Sequence, residues 1–248
     1  MKHKYAIIGP VLLLLIWQIV YSLQLIDPFF LPSPFLTLKT LWDIVTSGAG
    51  LIDLAATLKR VVMAFAIAVV IGMPMGLLLG ASERVYRSVE FIIDFFRSTP
   101  ATALFPLFLI IFGVTDESKI AVAAFASALI IVFNTAYGVI HGKKSRILAA
   151  KIMGASRLQI FRSIILWESL PQTFIGLRNA VSLSLVVIVV TEMFIGTNQG
   201  IGHRIIDAQI KYDIADMYAS ILLTGIIGYI FNAVFLIAER RFLKWTSK

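Results

Sequence analysis

The 248-residue sequence contains no cysteine, which excludes disulfides, thiolate metal sites and cysteine nucleophiles. Charge is also scarce. Only 15% of residues are charged, against about 25% in ordinary soluble domains. Histidine is limited to His3, His141 and His203, all at or beyond the ends of apolar runs, and these alone assemble no metal site. No polar stretch is long enough to be cut out as a separate soluble domain, and no internal repeat or low-complexity tract is visible. What the sequence has in excess is apolar: 59% of residues are hydrophobic. The formal charge is +8. Its lysines and arginines punctuate apolar runs and form no basic face interleaved with aromatics, so the sequence predicts no nucleic-acid partner.

A spanning helix needs about 20 mostly apolar residues. Six stretches qualify, at 6–26, 61–81, 91–114, 120–140, 174–195 and 217–238. The expected fold class is therefore all-α and integral to the bilayer, with about six transmembrane helices. The first apolar run is too long for a signal-peptide core, and no small-x-small cleavage site follows it. It reads as an uncleaved span. With the N-terminus inside, the inner segments carry Lys2, Lys4, Arg84, Arg87, Lys143, Lys144, Arg146, Lys151, Arg157, Arg162, Arg240, Arg241, Lys244 and Lys248. The outer segments carry only Lys39, Lys59, Arg60, Lys119, Arg204 and Lys211. This bias predicts a multi-pass protein with both termini cytoplasmic.

Between the first two spans, Ser33-Pro34 reads as an N-cap followed by proline at the first helical position. Phe35, Leu38, Leu41, Trp42 and Val45 then recur at helical spacing. They predict a short helix in the outer interface or packed on the bundle. In the second span, Gly72, Gly76 and Gly80 predict close helix packing, with Pro74 as an alternative hinge.

The longest inner segment, 141–171, is too regular for a linker. Residues 148–153 read as helix and Gly154-Ala155-Ser156-Arg157 as a turn. Leu158, Ile160, Phe161, Ile164 and Ile165 make a second helical stripe, and Leu170-Pro171 opens the fifth span. Two short helices about a glycine turn form a knob suited to a partner's groove.

Here the sequence resembles a known family. Ala149-Ala150, Gly154 and Ile164 keep the spacing of the cytoplasmic "EAA" loop of permeases from ATP-binding-cassette importers, with Leu166 at the expected leucine. Leu148 stands where that loop has glutamate and Trp167 where it has proline. Phe30-Leu-Pro-Ser-Pro34, Arg97-Ser-Thr-Pro100 with Pro106-Leu107 and Phe112-Gly113, Thr191-Glu-Met193 and Gly200-Ile-Gly202 resemble the branch that imports nitrate, sulfonates, taurine or bicarbonate. Some relatives of that branch carry vitamin precursors of the thiamine-pyrimidine or riboflavin type.

The resemblance implies a type I importer permease of MetI-like architecture in a bacterial or archaeal plasma or inner membrane. It would form a single domain over 1–248, with a first span and outer interfacial helix at 1–56 and a five-span core at 57–240. It implies a homodimer of two permease copies, a cytoplasmic ATPase subunit seating the loop residues Ala149, Ala150, Gly154, Ala155, Ser156, Arg157 and Ile164, and an extracytoplasmic substrate-binding protein. ATP and Mg belong to the ATPase, and no cofactor is expected on this chain. The chain is thus expected to be no enzyme itself. Gly138 to Ser145 departs from a phosphate-binding loop in having three residues, not four, between its glycines, and no strand pattern precedes it. Tyr212-Asp213 has no second in-span aspartate with which to form a protease site. An ion-coupled secondary transporter is the competing class, but such carriers use more buried ionisable groups than this chain offers.

Polar residues within spans are pathway candidates. Arg97, Ser98 and Thr99 precede Pro100, where a break would aim helix N–H groups at an anion. The alternative pairs Arg97 with Asp94 or Glu90 as an interfacial anchor. Arg178 and Glu192 fall near one face of the fifth span, with Asn179 and Ser182 nearby. They mark either the ends of a polar path or snorkelling anchors, and Asn179, Ser182 and Ser184 are alternatively packing contacts.

Overall fold

The structure is a computed structural model and describes residues 8–142, 144–194 and 197–243. Lys2, His3, Lys4, Lys143, Ile195, Lys244 and Lys248 lie outside the described residues, as does the side chain of Lys144. Among the described residues the chain is all-helical: α1 (Ile8–Ser22), α2 (Pro34–Thr46), α3 (Gly48–Gly80), α4 (Glu83–Ser98), a 3₁₀ turn (Ala101–Leu104), α5 (Phe105–Phe112), α6 (Asp116–Ile140), α7 (Lys144–Ile152), α8 (Arg157–Ile160), a π-helical turn (Phe161–Ile165), α9 (Leu166–Glu192), α10 (Ile201–Ile210) and α11 (Ile214–Phe242). The helices α3, α6, α11 and the continuous Arg157–Glu192 rod are long and apolar enough to cross a membrane. The α4–α5 pair makes a fifth crossing, bent by 90°. The described part of α1, 15 residues, is about 22 Å long.

Local chemistry sets the ends. Ser33 Oγ accepts from Leu36 N at 3.1 Å and Pro34 occupies the first helical position, so α2 begins where the sequence predicts. Ser47 closes α2 and caps α3 through Gly50 N at 3.1 Å. Consequently α3 starts thirteen residues before the expected span, crosses the 56/57 boundary, and carries Lys59 and Arg60 within helix. Hydropathy had placed both in an outer loop, because it stops at charges whereas a helix need not. The third span, read at 91–114 with Pro100 as the place where it would break, starts at Glu83 and does bend there. Thr99 adopts an extended backbone and Pro100 cannot donate a helical hydrogen bond, so the chain turns there. Conversely, Pro171 does not open the fifth span. It lies inside α9, which continues from the knob.

The centre is α6, packed between α3 and α9. Ala64, Ala68, Gly72, Gly76 and Gly80 line the buried side of α3. A Cβ added to Gly72, Gly76 or Gly80 would lie 2.9, 2.6 or 2.7 Å from Ile131, Thr135 or Val139 of α6. The glycine stripe is thus a packing seam, and α3 continues through Pro74 to Gly80. Polar stitches hold the other side of α6. Ser127 and Ser184 hydroxyls meet at 2.7 Å, and Gln172 Nε2 donates to Asn134 Oδ1 at 3.0 Å.

Candidate functional site

Three sites emerge from this frame. The first is a buried charge network where α3, α6, α9 and α10 converge. Asp53, Thr57 and Arg60 recur on one face of α3 and capture the start of α10. Asp53 Oδ1 accepts from Gly200 N at 2.9 Å, Thr57 Oγ1 accepts from Ile201 N at 2.8 Å, and Glu192 Oε2 accepts from Gly202 N at 3.1 Å. Three of the four amides that a helix start leaves unpaired, those of Gly200, Ile201 and Gly202, are satisfied by side chains. Thr57 Oγ1 also donates to Glu192 Oε2 at 2.8 Å. Arg60 Nη1 donates to Glu192 Oε1 at 2.6 Å and to Gln199 O at 2.9 Å, and its Nε donates to Asp116 Oδ1 at 2.8 Å. Glu192 is 0% and Arg60 6% exposed.

Gly200, at φ +134°, permits this approach, since a Cβ there would lie 2.6 Å from the Glu192 carboxylate. Outside the spans, Arg204 of α10 pairs with Asp216 at 2.5 and 2.8 Å and with Asp53 at 3.6 Å. Burial alone would lower its pKa, but the hydrogen bond and charge of Asp216, with the charge of Asp53, raise it above the ordinary guanidinium value.

The second site is a cavity of about 340 Å³ at the α4–α5 break. The structure brings Arg97, Ser98, Thr99 and Pro100 together on its wall, facing Phe125 and Ile130 of α6 and Leu183 of α9. The Arg97 guanidinium stacks 3.7 Å from the Phe133 ring centroid and donates to Asp94 Oδ1 at 2.9 Å. The helix start expected after Pro100 is only a four-residue 3₁₀ turn, and its Ala103 amide already donates to Pro100 O at 2.9 Å.

The remaining pathway candidates do not line this cavity. Arg178 pairs with Glu239 of α11 at 3.7 Å. Ser182 Oγ donates to Arg178 O at 3.2 Å, and Asn179 is exposed. Glu192 is buried in the first network, and Arg178 and Glu192 are engaged by different helices, Arg178 by α11 and Glu192 by α3 and α10. Arg60, Asp53 and Thr57 were missed by sequence reading. Their i, i+4, i+7 spacing was visible, but the helix that makes it meaningful was not expected there.

The third site is the knob formed by α7 and α8. Gly154 sits between them at φ +80°, a left-handed turn with open space around the missing Cβ. Ser156 caps α8 with a capping box: its Oγ accepts from Gln159 N while Gln159 Oε1 accepts from Ser156 N at 2.7 Å. Leu148, Ile152, Met153 and Leu158 are exposed around the turn, Ile152 and Met153 to 79% and 85%. Ala149, Ser156 and Arg157 are exposed, while Ala150, Ala155 and Ile164 are half-buried. Arg146 of α7 pairs with Glu168 of α9, tying the knob to the rod. Among the described residues no group of three or more His, Asp or Glu side chains is placed to hold a metal.

Residues 68–248 match the model of the binding-protein-dependent transport system inner membrane component. The chain belongs to that family. It is an ABC-importer permease of the nitrate, sulfonate and taurine branch. It is 32% identical to the taurine transport system permease protein TauC of Escherichia coli (strain K12), covering 94% of this chain and 86% of the relative. It is 30% identical to the formylaminopyrimidine transport permease protein ThiX of Halalkalibacterium halodurans, with both chains fully covered. A solved chain of the MetNI methionine ABC transporter, in inward-facing form, superposes with a TM-score of 0.65 at 21% identity over 88% of this permease and 99% of that chain. The fold is therefore MetI-like.

Proposed function

We infer that this permease forms, as a single domain over 1–248, the path for a small solute, and that the path runs past the cavity at the α4–α5 break. The observation that carries this is the cavity itself. It lies where a spanning segment is interrupted, and irregular backbone at membrane depth is tolerated where it is buried in protein or lines a water-filled cavity. Arg97 gives its wall a full positive charge, which supports a small oxyanion such as nitrate, a sulfonate, taurine or bicarbonate. A second reading has its own support. Phe96 and Phe125 line the same cavity and Asp94 offsets the arginine, which suits a flat vitamin precursor such as a thiamine pyrimidine, the class named for ThiX. Uptake by vesicles containing the whole complex, with nitrate, taurine, an alkanesulfonate, bicarbonate and a thiamine precursor compared, separates the two. Uptake of the precursor alone ends the anion reading.

The same reading gives the knob to a cytoplasmic ATPase that holds ATP and Mg, because its exposed apolar tip and flanking Lys151 and Arg157 need a groove to cover them. The opposite end, with the polar cleft around Arg204, faces outward toward a substrate-binding protein. Both termini are cytoplasmic and two copies form the working dimer.

A further inference from the structure

A groove of about 540 Å³ runs between α3 and α6. One wall is the ridge of Met63, Ile67 and Ile71 along α3, and the far wall is Phe112 at the end of α5. Beside the larger Ile120 and Phe125, the α6 side of the groove carries Ala121, Ala124 and Ala128. Side chains this small leave room between the two helices along several turns. Ile67 and Ile71 remain about half exposed, and both long walls are spanning helices. At its mouth the charges divide into two groups. Arg60, Asp116 and Lys119 satisfy one another: Asp116 Oδ1 lies 2.8 Å from Arg60 Nε and 3.6 Å from Lys119 Nζ. Lys59 and Glu117 also line the mouth and both are exposed; the Glu117 carboxylate accepts from the Thr115 hydroxyl and from its own amide, and neither side chain is in an ion pair among the described residues.

The geometry points to a bound phospholipid with a zwitterionic headgroup. One acyl chain lies in the apolar groove, the phosphate meets Lys59, and the ammonium of an ethanolamine headgroup meets Glu117. A purely anionic headgroup would satisfy the lysine but leave the carboxylate facing negative charge. A second protein helix would cover the apolar walls but would strand both mouth charges unless it brought their complements.

Native mass spectrometry of the full chain, purified in mild detergent from membranes containing phosphatidylethanolamine and phosphatidylglycerol, tests this. The parent is expected to retain phosphatidylethanolamine preferentially. Lys59→Gln is expected to lower that retention by roughly fivefold, the effect of one interfacial charge contact. Glu117→Gln is expected to shift the retained lipid toward phosphatidylglycerol by a similar factor. Both side chains are exposed, so these variants keep the fold, which a melting curve verifies. Ala121→Phe narrows the groove and is expected to remove the lipid. Absence of retained lipid on the parent, or a headgroup ratio unchanged by Glu117→Gln, overturns the assignment. So does efficient cross-linking of two copies through Ile67→Cys in a chain with no other cysteine, which would give the groove to a second permease.

Discussion

The buried Arg60–Glu192 pair makes the sharpest stability prediction. In Arg60→Met the Glu192 carboxylate keeps Thr57 Oγ1 and Gly202 N but loses the one cation paired with it among the described residues, while Gln199 O loses its donor. Removing one partner of a buried pair costs about 3–5 kcal/mol, because the other charge stays desolvated. Glu192 is 0% exposed, so solvent cannot relieve it. Asp116 provides the internal contrast. Its side chain is 47% exposed and binds the same guanidinium. Asp116→Asn is therefore expected to cost about 1 kcal/mol or less, in the range of exposed pairs.

The double variant Arg60→Met/Glu192→Leu removes both charges and is expected to recover most of the loss, since apolar replacement of a whole buried pair is often neutral or better. Equilibrium unfolding of the purified chain in detergent measures the parent, these three variants and the single Glu192→Leu. The reasoning fails if Arg60→Met lies within about 1 kcal/mol of the parent, or if the double variant is as unstable as the two single losses combined.

Three further outcomes follow from the same structure. Gly154→Val forces a β-branched residue into φ +80°, at about 1–2 kcal/mol of local strain. It is expected to leave membrane insertion intact while reducing ATPase co-purification and uptake; normal values for both would remove the knob from the coupling role. Gly76→Val puts a Cβ 2.6 Å from Thr135 and 2.8 Å from Val132 O, and is expected to lower stability in the same unfolding assay by about 1–3 kcal/mol. Single cysteines replacing Val45 and Asp207 are expected to react with an impermeant reagent from outside, whereas one replacing Arg146 is not. Labelling of the last in sealed cells would reverse the topology.

Much of the fold was legible because bilayer solvation is written in apolar length, and basic residues cluster in the segments between spans. The Ser33-Pro34 start, the glycine seam on α3 and the turn at Gly154 each had a local chemical cause visible in sequence. What was hidden depended on partners distant in the chain. Arg60 looked like a loop cation until α3 was seen to begin at Gly48. Glu192 looked like a pathway end until Thr57, Arg60 and Gly202 closed around it. The bend at Thr99–Pro100 was foreseeable from proline, but its 90° angle, and the stacking of Arg97 on Phe133, required the packed arrangement.

An importer permease moves its solute on the energy of ATP hydrolysed by a partner subunit, and this is the property to test in this chain. Inverted membrane vesicles containing the co-purified complex, loaded with solute and binding protein and given ATP from the cytoplasmic face, test it most directly. The prediction is solute movement that stops with ATP depletion, survives collapse of the ion gradients and is lost in Gly154→Val. Transport that survives ATP depletion and collapses with the gradient would contradict it.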